Sequence, residues 1–116
     1  MLKVYAYKNC DTCRKALRWL KEHDIAHDVV PIREQPPTET ELRQMLTLNG
    51  GQLRKLFNTS GQDYRALNLK ERLPSLSADD AIALLKSNGN LVKRPFALDG
   101  QRGATGFSEE EWQVFR

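Results

Sequence analysis

The chain has 116 residues, 40% hydrophobic and 28% charged, with eighteen Lys and Arg against fifteen Asp and Glu for a net charge of +3. That length and balance predict one domain over residues 1–116 with its own core, and exclude wholesale disorder. No apolar run approaches the ~20 residues that cross a bilayer, and the basic residues are spread rather than massed, so neither a membrane nor direct nucleic-acid binding is expected.

Lys3 to Tyr7, rich in Val and Tyr, predicts a first strand. The chain opens directly on this pattern, without the succession of a secretory leader, and the expected location is cytoplasmic. Lys8-Asn9-Cys10-Asp11 is a polar turn. From Cys13, the apolar positions Cys13, Ala16, Leu17 and Leu20 keep helical spacing, with Arg14, Lys15, Arg18 and Lys21 on the wet face. Trp19 is expected to pack while partly exposed. Ile25 to Ile32 reads as a second strand, parallel to the first through a βαβ crossover.

Thr38 with Glu41 forms a capping box for a helix with inner residues Leu42, Met45, Leu46 and Asn49, stopped at Gly50-Gly51. Leu53 to Phe57 predicts a short helical piece. Ser77 caps a further helix that Gly89 stops. Leu91-Val92 and Phe96 to Leu98 read as short strands. Asp99-Gly100 marks a hairpin, and Ser108 with Glu111 predicts a second capping box, opening a last helix that buries Trp112 and Phe115. This order is that of an α/β, thioredoxin-like fold: a mixed four-stranded sheet with a helical insertion at about 38–88.

Cys10 and Cys13 are the two cysteines of the chain. Cys10 precedes a helix whose free N–H groups and positive end point towards its sulfur. Lys8 and Arg14 add positive charge, and all three effects favour the thiolate. Cys13, one turn on and on the apolar stripe, is placed as a buried resolving thiol. A buried structural pair is the plain alternative. Cys10, Cys13, His23 and His27 also carry C-x2-C-x9-H-x3-H spacing. A zinc finger, however, sets its cysteines on a hairpin, so no metal is expected and the histidines read as solvated residues near a helix end.

Tyr7-Lys8-Asn9-Cys10-Asp11-Thr12-Cys13-Arg14-Lys15-Ala16, Glu34-Gln35-Pro36-Pro37-Thr38, Phe57-Asn58-Thr59-Ser60-Gly61 and Lys93-Arg94-Pro95 together resemble the arsenate reductase (ArsC) family, which includes the Spx/MgsR regulators. The resemblance covers essentially the whole chain and is nearest to the short reductase-like members. It implies a thiol-disulfide oxidoreductase with Cys10 as nucleophile, Cys13 or glutathione as resolving thiol, Arg94 as anion-binding residue, and a cis peptide before Pro95. It implies no bound cofactor, with glutathione or thioredoxin as reductant. Lys8, Arg14 and Asn58 are further candidates for the substrate site. Glutathione-linked arsenate reductases hold the oxyanion with three arginines. Here Asn58 stands at the first position and Ala104-Thr105-Gly106-Phe107 at the last, which implies poor arsenate binding. The alternative is a Spx-like redox sensor that binds the RNA polymerase alpha subunit, although Gly50-Gly51-Gln52-Leu53 differs from the acidic segment of those regulators.

Overall fold

Alternation along Leu2-Lys3-Val4-Tyr5-Ala6 builds β1 (Leu2–Ala6) with Leu2, Val4 and Ala6 on one face and Tyr5 on the other. The computed structural model describes all 116 residues. Helix α1 (Asp11–Glu22) follows, then β2 (His27–Pro31), α2 (Glu39–Leu48), α3 (Gln62–Ala66), α4 (Leu69–Arg72), α5 (Ala78–Ser87), β3 (Phe96–Leu98), β4 (Gly103–Thr105) and α6 (Glu109–Trp112). The sheet order is β2-β1-β3-β4. β1 runs parallel to β2 and antiparallel to β3, and β3 runs antiparallel to β4, so the sheet is mixed and four-stranded. The fold is α/β and thioredoxin-like.

Each face of the sheet has its own core. On one side Leu2, Val4, Ala6 and Ala97 meet Cys13, Ala16, Trp19 and Leu20 of α1 and Trp112 and Phe115 from the C-terminal end. On the other, Tyr5, Phe96 and Leu98 meet Leu42 and Met45 of α2, Ile82 and Leu85 of α5, and Leu56, Phe57 and Leu91 from the intervening turns. Between β2 and β3 the chain thus supplies the four helices α2 to α5, which cover that second face.

Several elements differ from the sequence reading, each for a local reason. The second strand starts at His27, because the Ile25 N–H is spent on the Leu20 carbonyl at 3.0 Å while Asp24 takes a left-handed φ of 54°. Together with the bond from Asp24 N–H to the Lys21 carbonyl this is a Schellman stop. Gly50, φ 65°, closes α2 in the same way, with Gly51 N–H donating to the Leu46 carbonyl at 2.8 Å. Leu91 and Val92 join no strand of the sheet, although Val92 makes an isolated antiparallel bridge with Phe57. Residues Gly89–Leu91 make a 3-10 turn, and the neighbouring backbone is used by the loop at 56–58: Asn58 N–H donates to the Leu91 carbonyl and Lys93 N–H to the Leu56 carbonyl, both at 2.8 Å.

Trp19 is buried, not partly exposed: only 3% of it reaches solvent. Trp112 and Phe107 pack edge-on against its ring at centroid distances of 6.3 and 6.2 Å, because the C-terminal segment folds over α1. At Ser108 only half of a capping box forms, the bond from Glu111 N–H to Ser108 Oγ. The Thr38–Glu41 box is complete. Its Glu41 carboxylate does more than cap. It accepts from Tyr5 Oη at 2.5 Å and from Lys3 Nζ at 2.9 Å, tying the start of α2 to the sheet.

Candidate functional site

Cys10 is the N-cap of α1, which begins at Asp11 rather than Cys13. Cys13 therefore occupies the third helical position, where an N-cap side chain accepts a backbone hydrogen bond. Here the acceptor is a sulfur: Cys13 N–H donates to Cys10 Sγ at 3.3 Å. Cys10 is half-buried and Cys13 is 1% exposed, and both are free thiols. Burial pushes the Cys13 thiol up to about 12, partly offset by the Tyr7 backbone. Cys13 is thus a neutral thiol beneath an accessible one.

Of the basic candidates, Arg14 turns its guanidinium to the Asp11 carboxylate and the Lys8 carbonyl, so its charge is already paired at the helix start. Lys8 is exposed. The Arg94–Pro95 peptide is cis, and Gly106 N–H donates to the Pro95 carbonyl at 2.8 Å. Arg94 lies with its guanidinium carbon 5.1 Å from the Tyr7 ring centroid, and its Nη1 is buried without a hydrogen-bond partner.

Arg94 and Asn58 share a polar cavity of about 220 Å³. Thr105 lines a different one, of about 620 Å³, with Thr59 and Lys93. Arg102 is occupied elsewhere, paired with Asp99 and donating to the Val114 carbonyl at 2.7 Å. His23 and His27 lie apart from the cysteines in their roles. Each Nδ1 sits 2.8 Å from a backbone carbonyl oxygen, of Trp19 and Ile25 respectively, and no cluster of three or more metal-ligating side chains forms.

Two residues of this region escaped the sequence reading. Arg33 lines the small cavity, stacks its guanidinium carbon 4.9 Å from the Tyr7 ring centroid and donates to Tyr7 Oη at 2.8 Å. Asp63 lines it too. The available signal for Arg33 was positional. Tyr7 and Arg33 follow the C-terminal ends of two parallel strands, where open α/β sheets bind ligands. Nothing in the local sequence marked Asp63.

Known proteins match this chain along nearly its full length. It is 46% identical over 112 residues to the Bacillus subtilis protein YusI, covering 97% of this chain and 95% of that one. It is 31% identical over 115 residues to the global transcriptional regulator Spx of Staphylococcus haemolyticus, covering 99% of this chain and 86% of the regulator. A crystal structure of an ArsC family related protein from Bacteroides fragilis superposes with a TM-score of 0.93 at 38% identity, covering 99% and 97% of the two chains. No helix is long and apolar enough to cross a membrane. The family model described as ArsC family matches residues 5–115, and this chain belongs to the ArsC family.

Proposed function

We propose that this protein is a thiol-disulfide oxidoreductase in which Cys10 attacks and Cys13 resolves. One observation carries the reading: an accessible sulfur caps a helix and accepts the N–H of a buried cysteine one turn further on. A hydrogen bond from backbone to sulfur strengthens when the sulfur is anionic, so the same contact serves attack and departure at Cys10.

The exchange balances with the two thiols alone. The Cys10 thiolate attacks one sulfur of an oxidised substrate R–S–S–R′. A Cys10 Sγ–S–R bond forms, the substrate S–S bond breaks, and R′–S⁻ leaves, taking up the proton that the Cys10 thiol released on ionising. Cys13 then attacks Cys10 Sγ and expels R–S⁻, which takes up the Cys13 proton. The substrate gains two electrons and two protons, and the pair becomes a disulfide that an external thiol, glutathione or thioredoxin, reduces again. Arg94 holds an anionic group of the substrate in this scheme, beside Asn58.

Non-reducing peptide mapping after diamide treatment tests the core of this reading. A reversible Cys10–Cys13 disulfide supports it, and recovery of only intermolecular or glutathionylated forms removes Cys13 from the resolving role. In coupled glutathione and thioredoxin assays, turnover of disulfide substrates should exceed that of arsenate, because Asn58 and Thr105 stand where two of the family's three oxyanion-binding arginines would be. Asn58→Arg, on the wall that Arg94 shares, should raise arsenate turnover.

The likeness to Spx supports a second reading, in which the same pair senses oxidant for a transcription regulator that binds the RNA polymerase alpha subunit. Pull-down of that subunit by the reduced and oxidised protein separates the two.

A further inference from the structure

The six ion pairs of the molecule include neither Arg33 nor Arg94 nor Asp63, although Arg14, Arg43 and Arg102 are all paired. These three unpaired charges line one cavity of about 220 Å³, with Asn58, Asn90 and Gln62 and no apolar residue among its walls. Leaving a guanidinium nitrogen buried without an acceptor is costly, and Arg94 Nη1 is in that state. Both guanidinium groups lie against the Tyr7 ring, whose hydroxyl also accepts from Asn9 Nδ2 at 3.2 Å. Asp63 accepts from Asn88 Nδ2 at 2.9 Å through Oδ2. Two cations, Arg33 exposed and Arg94 half-buried, and one carboxylate on a wholly polar wall complement a group that carries its own negative and positive charge. A simple anion such as sulfate would find Asp63 repulsive.

We propose that this cavity receives the free α-amino-acid end of a small thiol-bearing ligand, with its carboxylate on Arg33 and Arg94 and its ammonium on Asp63. The proposal deepens the thiol-disulfide reading and names the docking end of the exchanging molecule. Tyr7 links the cavity to the reactive cysteine: its ring lies against both guanidinium groups and its carbonyl accepts from Cys10 N–H at 3.2 Å. A cysteine-containing thiol anchored there by one end presents its sulfur towards Cys10.

The test uses S-methylglutathione, which keeps the amino-acid end and cannot exchange, titrated into the reduced wild-type protein by calorimetry and amide NMR. Saturable binding with shifts at Asn58, Gly61 and Asn90 is expected. Arg33→Gln and Asp63→Asn should each weaken it by at least about tenfold. Asp63→Asn keeps an acceptor oxygen for Asn88, and circular dichroism checks both variants for folding. Acetylating the α-amine of the probe should cost a similar factor in wild type and nothing further in Asp63→Asn. Equal binding of the acetylated probe, or full competition by sulfate, would show a plain anion site and overturn the proposal, as would the absence of saturable binding or binding indifferent to both variants. If the Cys10–Cys13 disulfide forms while the probe fails to bind, the amino-acid site is wrong and the thiol chemistry stands. Specific binding without that disulfide supports the site and counts against the resolving role of Cys13.

Discussion

Gly89 lies so close to Ile32 that a Cβ on it would stand 1.9 Å from the Ile32 carbonyl oxygen. The sequence marks Gly89 only as a helix stop, yet α5 already ends at Ser87 with Asn88 as its cap. The glycine is needed for close approach. It lets the turn at Gly89–Leu91 press on the backbone just after β2, and this contact sets Arg33 and Asn90 on the same cavity.

Gly89→Ala should therefore destabilise the protein by about 3 kcal/mol, at the upper end of overpacking costs, because the added Cβ is fixed by its own backbone and meets the backbone carbonyl of Ile32, so neither can rotate away. Urea unfolding monitored by tryptophan fluorescence measures it. An unchanged midpoint would mean that the two segments separate without penalty.

Iodoacetamide at pH 8 should modify Cys10 and spare Cys13, as peptide mass spectrometry would show. Burial of Cys13 raises its thiol from 9.0 to about 12. A raised folded value means that its contribution to stability is complete below pH 9 and is lost as pH climbs towards 12. Tyr5, raised from 10.0 to about 12 by burial and then by its bond to Glu41, shares that alkaline limb. Cys13→Ala should flatten the fall in melting temperature over this window in part, not wholly.

Glu41 governs the acid limb. Burial alone would raise its carboxyl, but hydrogen bonds from Tyr5, the Thr38 N–H and Lys3 hold it below its ordinary 4.5. Its contribution is then present above pH 4.5 and lost as pH falls through the lower folded value. Glu41→Gln should cost about 2 kcal/mol at neutral pH, since it weakens a cap and two charge-assisted bonds together. The variant should also lose less stability than wild type between pH 5 and 3. Thermal unfolding across that range checks both effects.

How much of this was legible beforehand divides by distance along the chain. Strand β1, the place of Cys10 ahead of a helix, the burial of Cys13 and the Thr38–Glu41 box all depend on residues within one or two turns of each other, so periodicity and capping chemistry determine them from the sequence alone. The mixed four-stranded sheet follows from the order of the elements along the chain, whereas the cis bond at Pro95 is what the resemblance to the ArsC family implies and not something spacing shows. Only the tertiary structure decided the rest. Trp19 is buried because residues 107–115 fold back across α1, and Glu41 serves the sheet because Lys3 and Tyr5 come up beneath it from 36 or more residues away. Arg33 and Asn90 meet at one cavity because the bare backbone of Gly89 lets the segment after β2 and the turn at 89–91 touch, and Asp63 and Arg94 line the same cavity from elsewhere in the chain. Unpaired charges look the same in a sequence as solvated ones. What separates them is burial: Arg33 stays exposed with the Tyr7 hydroxyl as its partner, whereas Arg94 Nη1 is buried with none.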